Sequence, residues 1–143
     1  MLGADRTWSP ERAVALFGGD ESGENRHRHQ LWYDFGLVEF FWDRARGDQP
    51  WSGTHFSVQA RRLAPAPALA ERYGPFDGAV TFAALAAELD RRSAGLVEEP
   101  GHDDNIREYW QAASATSVLV VAGGYHGRPG DVYRVTSPVY SRS

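Results

Sequence analysis

Residues 29 to 43 constrain the fold more than any other stretch of the chain. Aromatic and branched side chains crowd both sides of a central Asp34-Phe35-Gly36. Such residues suit the pleated, half-buried surface of a sheet. The polar, glycine-bearing centre can turn one strand back on the next, with a bulge in a continuing strand as the rival reading. The expectation is a strand over His29 to Phe35 and a second over Leu37 to Asp43. In the second, Val38, Phe40 and Trp42 share one face, while Leu37, Glu39, Phe41 and Asp43 share the other. Both faces are partly apolar, which places this strand inside a sheet.

The remaining elements are read against that hairpin. Ser9-Pro10-Glu11 has the form of an N-cap, an N1 proline and a first-turn acid. Pro10, Ala13, Val14 and Phe17 then recur at helical spacing, and Gly18-Gly19 stops the helix. Asp20 to Arg28 reads as a polar loop and Arg44 to Gly53 as a second loop. Thr54 to Leu63 alternates, with Phe56, Val58 and Ala60 inward and His55, Ser57, Gln59 and Arg61 outward.

Ala64-Pro65-Ala66-Pro67-Ala68 favours an extended connector. Beyond it, Thr81 caps a helix striped by Phe82, Leu85, Ala86 and Leu89 and ended by Gly95. Asp103 or Asp104 is expected to cap a further helix striped by Ile106, Tyr109, Trp110 and Ala113. Ser117 to Ala122 reads as a buried strand, Gly123 to Gly130 as a hairpin tip, and Asp131 to Thr136 as the last strand, stopped by Pro138. The predicted order is α-β-β-β-α-α-β-β, an α+β domain with a mainly antiparallel sheet of about five strands and three helices. No internal repeat is evident. Each side of the Ala/Pro segment looks too thin for its own core, so residues 1–143 are read as a single domain.

Composition excludes several kinds of chemistry. All 15 basic residues are Arg, against 19 acids, and the chain contains no lysine and no cysteine. Schiff-base lysines, the phosphate-loop lysine, thiol nucleophiles, cysteine zinc sites and disulfides are therefore ruled out. The first 20 residues carry Asp5, Glu11 and Asp20 and no signal-like apolar run. No apolar stretch, Val118 to Ala122 included, approaches the roughly 20 residues of a spanning helix. A soluble, cytoplasmic protein is expected.

Four motifs invite chemical readings. His27, His29 and His55 could converge as metal ligands, but Glu24, Arg26 and Arg28 mark a solvated charged stretch, so no metal and no cofactor are expected. His102 and His126 stand alone and read as exposed. Asp34, Glu39 and Asp43 lie on or beside the hairpin, where Arg44, Arg46, Arg61 and Arg62 are candidate partners. Glu39 and Asp43 are ~13 Å apart along an ideal strand, too far to share a proton. Asp34-Phe35-Gly36 matches the kinase tripeptide only in letters, since the lysine and catalytic loop are missing. The glycine-rich Gly123 to Gly130 lacks the following helix N-terminus that a phosphate cradle needs. No basic footprint is present and the isoelectric point is near 5.7, so nucleic acid is not expected as a partner.

One segment concentrates charge. Glu98, Glu99, Asp103 and Asp104 fall within seven residues that contain no Arg, and their four charges equal the chain's net −4. Read as a loop between helices, this segment suits a basic protein partner through steering and complementarity, with Trp51 and Tyr125 as further contacts. The alternative is a small-molecule-binding domain or small hydrolase-like enzyme. Its aromatic pocket would draw on Trp32, Trp42, Phe56 and Trp110, with Asp34, Glu39 and His55 as polar groups.

Leu16-Phe17-Gly18, a polar loop, and then Leu31 to Phe40 resemble small actinobacterial proteins that accompany polymorphic toxins, over residues 9 to 63. Many such proteins are immunity proteins, which bind and block a cognate toxin. The resemblance implies a non-enzymatic, toxin–antitoxin type of inhibitor that occludes its partner. It transfers no functional residue.

Overall fold

In the computed structural model of the chain, Ser9 starts the first helix. The structure describes residues 5–18, 23–63, 67, 70, 71, 74, 75, 78–124 and 126–139. It divides into two units, Met1–Val58 and Gln59–Ser143, each with its own cluster of buried apolar side chains. The boundary precedes the Ala/Pro segment. Of that segment, Pro67 is helical rather than extended.

In the first unit, α1 (Pro10–Phe17) is capped by Ser9, whose side chain accepts from the Arg12 amide. Four antiparallel strands follow: β1 (Gly23–Arg26), β2 (Gln30–Asp34), β3 (Val38–Asp43) and β4 (Ser52–Val58). The predicted turn at Asp34 to Gly36 is present. Gly36 adopts φ +84°, and its amide donates to Asp34 Oδ1 at 2.7 Å. β1 replaces part of the expected polar loop. It carries no apolar periodicity and forms by pairing with β2, a non-local event that local pattern does not report.

The core of this unit lies between α1 and one sheet face. Ala13, Leu31, Val38, Phe40 and Trp42 are fully buried there, with Phe17, Tyr33, Phe35 and Phe56 packed around them. Phe40 stacks on Trp42 at 5.6 Å and on Phe56 at 5.9 Å. The Trp42 indole N–H donates to the Trp8 carbonyl at 2.8 Å, so this large ring is buried without an unpaired donor.

β4 ends at Val58, and Ala60–Arg62 forms a 3₁₀ turn, so the long strand expected to Leu63 is shorter. Ser57 and Gln59, expected to face water, are buried at 2% and 3% exposure. Ser57 tolerates burial because its hydroxyl donates to Glu39 Oε2 at 2.6 Å.

In the second unit, α2 (Phe82–Arg91) is capped by Thr81, whose hydroxyl accepts from the Ala84 amide at 3.3 Å. Its predicted stripe is the half-buried one, and Phe82 stacks on Tyr109 at 4.0 Å. The helix ends before Gly95. Ser93 takes the left-handed conformation at φ +56°, and the Ala94 amide closes onto the Leu89 carbonyl at 2.9 Å. Four antiparallel strands follow: β5 (Val97–Asp103), β6 (Ile106–Gln111), β7 (Thr116–Val121) and β8 (Val132–Ser137). Val118, Val120 and Val132 form the core with Ala60, under Phe82 and Leu85.

The helix expected after Asp103 is a strand. Asp103 Oδ1 accepts from the Asn105 amide at 2.8 Å and its side-chain nitrogen at 3.1 Å, making a hairpin turn instead of a helix cap. Ile106, Tyr109 and Trp110 then suit a sheet better than a helix. The α+β class and antiparallel pairing hold, but with four strands in each unit and two α-helices of described bounds rather than five strands and three helices. Among the described residues, no helix is long and apolar enough to cross a membrane.

Candidate functional site

α1 covers one face of the first sheet, and rings of a different kind line the other. Directly opposed residues of antiparallel strands share a face. Trp32 opposes Phe41, and Phe41 opposes His55, so these three rings cross β2, β3 and β4 in a row. Trp32 and Phe41 lie 6.1 Å apart at 18°, and Phe41 and His55 lie 4.2 Å apart at 11°. All three are half-buried.

The row sits beside a β-bulge. His55 opposes Phe41 while Gly53 opposes Trp42, which leaves Thr54 as the extra residue of β4. Gly53 is required here: a Cβ at that position would sit 1.6 Å from the Arg6 carbonyl oxygen. Thr54 Oγ1 donates to the Phe41 carbonyl at 3.0 Å and lies 3.1 Å from His55 Nδ1. A regular strand would aim Thr54 and His55 to opposite faces, whereas here both border one open cleft of about 460 Å³. Trp32, Phe41, Gln30, Asp43 and His27 border the same cleft, as do Leu31 and Trp42, whose side chains belong to the core on the α1 side. The Trp32 indole nitrogen is buried, and among the described residues it has no hydrogen-bond partner.

Of the predicted pocket residues, Trp32 and His55 are brought together, Trp42 borders the cleft with its ring in the α1-side core, and Asp34 and Glu39 do not border it. Asp34 caps its own turn, and Glu39 holds Ser57. Phe56 lies in the α1-side core, and Trp110 is on β6 of the other unit. Gln30, Phe41 and Thr54 escaped sequence reasoning. Phe41 was marked only by sharing a strand face with Asp43, and the bulge by nothing beyond Gly53. Among the described residues no group of three or more His, Asp or Glu side chains is placed to hold a metal ion. His27 and His29 are exposed.

The acidic segment is the edge strand β5 up to Asp103, with Asp104 in the turn after it, rather than a loop between helices. Glu98 opposes Tyr109, Glu99 opposes Glu108, and the register slips before Asp103 opposes Ile106. Glu98, Asp103 and Asp104 are exposed, and Val97 beside them is 64% exposed. The Arg107 guanidinium stands 3.9 Å from Glu98, with both side chains solvated, so this pair neutralises little. Trp51 lies in the first unit, half-buried against the core and beneath the Arg44 guanidinium at 4.1 Å. Tyr125 lies outside the described residues. Comparisons with protein families, curated proteins and solved structures found no match for this chain.

Proposed function

We propose that the protein is a non-enzymatic protein-binding domain, acting in the cytoplasm as an immunity-type inhibitor that occludes a basic partner. The observation that carries this reading is the placement of Glu98, Glu99 and Asp103 on an edge strand, with Asp104 in the turn that follows. An edge strand offers unpaired backbone groups to an incoming segment, and its side chains choose that segment by charge. Val97 adds an apolar contact at one end. Electrostatic steering then sets the association rate, and burial of the edge sets residence.

The test is charge reversal, Glu98→Arg, Glu99→Arg, Asp103→Arg and Asp104→Arg together, against the toxin domain encoded in the neighbouring reading frame. The association rate is expected to fall at least tenfold at low salt and to lose most of its salt dependence, as steered encounters do. An unchanged rate, or no complex with the wild-type chain, overturns this reading.

A further inference from the structure

We infer that the cleft of the first unit binds a planar nitrogen heterocycle that is neutral or cationic and carries adjacent N–H donors, a guanine-like ring being the best fit. This inference does not rest on the β5 edge, which belongs to the other unit. Four observations carry it.

The cleft volume, about 460 Å³, falls in the range of small-ligand sites, roughly 300–1,000 Å³. Its walls are rings already in register, and a further flat ring extends such a row at little ordering cost. Its polar groups include three acceptors, the Asp43 carboxylate, the Gln30 amide oxygen and the Thr54 hydroxyl, whose hydrogen is committed to the Phe41 carbonyl, beside the imidazoles of His27 and His55. Acceptors of this kind call for a ligand rich in N–H groups, and a carboxylate can take two parallel N–H bonds from adjacent donors. No Arg is among the described residues that border the cleft, in a chain whose only strong cations are Arg. Among the described residues, a phosphate or carboxylate would therefore find no guanidinium there.

Two features mark the cleft as built. The bulge delivers two consecutive side chains, Thr54 and His55, to one site, a use bulges commonly serve beside functional sites. Among the described residues the buried indole N–H of Trp32 lacks a partner, and orphaned donors of that kind are rare without a role. A ligand acceptor, such as the ring carbonyl beside guanine's N–H groups, would satisfy it once the indole turns its buried N–H toward the cleft on binding.

Titration of the full chain with guanosine, uridine and guanosine 5′-monophosphate, followed by calorimetry and tryptophan fluorescence, tests this. Guanosine is expected to saturate. Uridine, which lacks the paired donors, should bind at least tenfold more weakly, and the 5′-phosphate should give no gain. Asp43→Asn, at an exposed position, and Trp32→Phe, which keeps the ring row but removes the N–H, should each weaken guanosine about tenfold, the scale of one lost charge-assisted bond or orphaned donor. Both variants should keep the wild-type circular dichroism. Three results overturn the proposal: no saturable guanosine binding, equal binding of uridine, or guanosine affinity unchanged in both variants.

Discussion

Both units run a helix and then four antiparallel strands, and both carry a bulge in the closing hairpin, yet one core is aromatic and the other aliphatic. In the first, Phe40 and Trp42 fill the sheet-to-helix space, and α1 contributes the fully buried Ala13. In the second, Val118, Val120 and Val132 fill it, and α2 supplies the half-buried Phe82 and Leu85. In one case Ala13 leaves room for the rings of β3 while Phe17 of the same helix stacks on Phe40 at 5.8 Å, and in the other Phe82 and Leu85 meet a valine sheet. One architecture thus accepts different distributions of volume, provided the sum fills the layer. The difference reaches the surface. The aromatic unit has rings on its second face, where the cleft lies, whereas the valine unit displays an acidic edge.

The largest expected effect separates the two fillings. Phe40→Ala should cost about 3–5 kcal/mol, and Val118→Ala about 2 kcal/mol, because the cavity scales with the volume removed. Urea unfolding of each variant checks this, and equal losses would break the contrast between the cores.

A smaller effect probes what the units share. Ser57 donates to Glu39 and Ser117 donates to Glu108, each at 2.6 Å. Ser57→Ala and Ser117→Ala should each destabilise by about 2 kcal/mol, the range for a hydrogen bond to a charged group. A loss in only one variant would show that the two serine–glutamate pairs serve different purposes.

The smallest effect concerns the helix starts. Ser9→Ala and Thr81→Ala should each cost about 1 kcal/mol in the same measurement. A markedly larger loss at Thr81 would mean that the second unit relies more on its cap, its helix having no fully buried residue.

What could be read in advance followed from how local each determinant is. The starts of both helices were legible because Ser9 and Thr81 act within four residues of themselves. The β2–β3 turn was legible because Asp34 and Gly36 build it together. Asp103 misled for a physical reason: the same carboxylate that caps a helix also accepts from the backbone two residues on, and only pairing with β6 decides between them. β1 was invisible, since Glu24, Asn25 and Arg26 offer no apolar period and the strand exists through its neighbour. The repeated element order left no trace either, because aromatic and aliphatic fillings of one pattern share few letters. At the cleft, Trp32, Trp42 and His55 were readable as aromatic strand residues. Asp34 and Glu39 were misplaced because each is engaged locally, one by Gly36 and the other by Ser57.

The register slip in β5 has a consequence for colloidal behaviour. Pro100 within that strand has no amide hydrogen to donate, and the neighbouring acids repel a copy of themselves laid alongside. Growth of a cross-β stack needs a flat, low-charge strand that can add its own kind without end. This edge meets neither condition, so the chain can leave a strand uncovered at high concentration without seeding fibres.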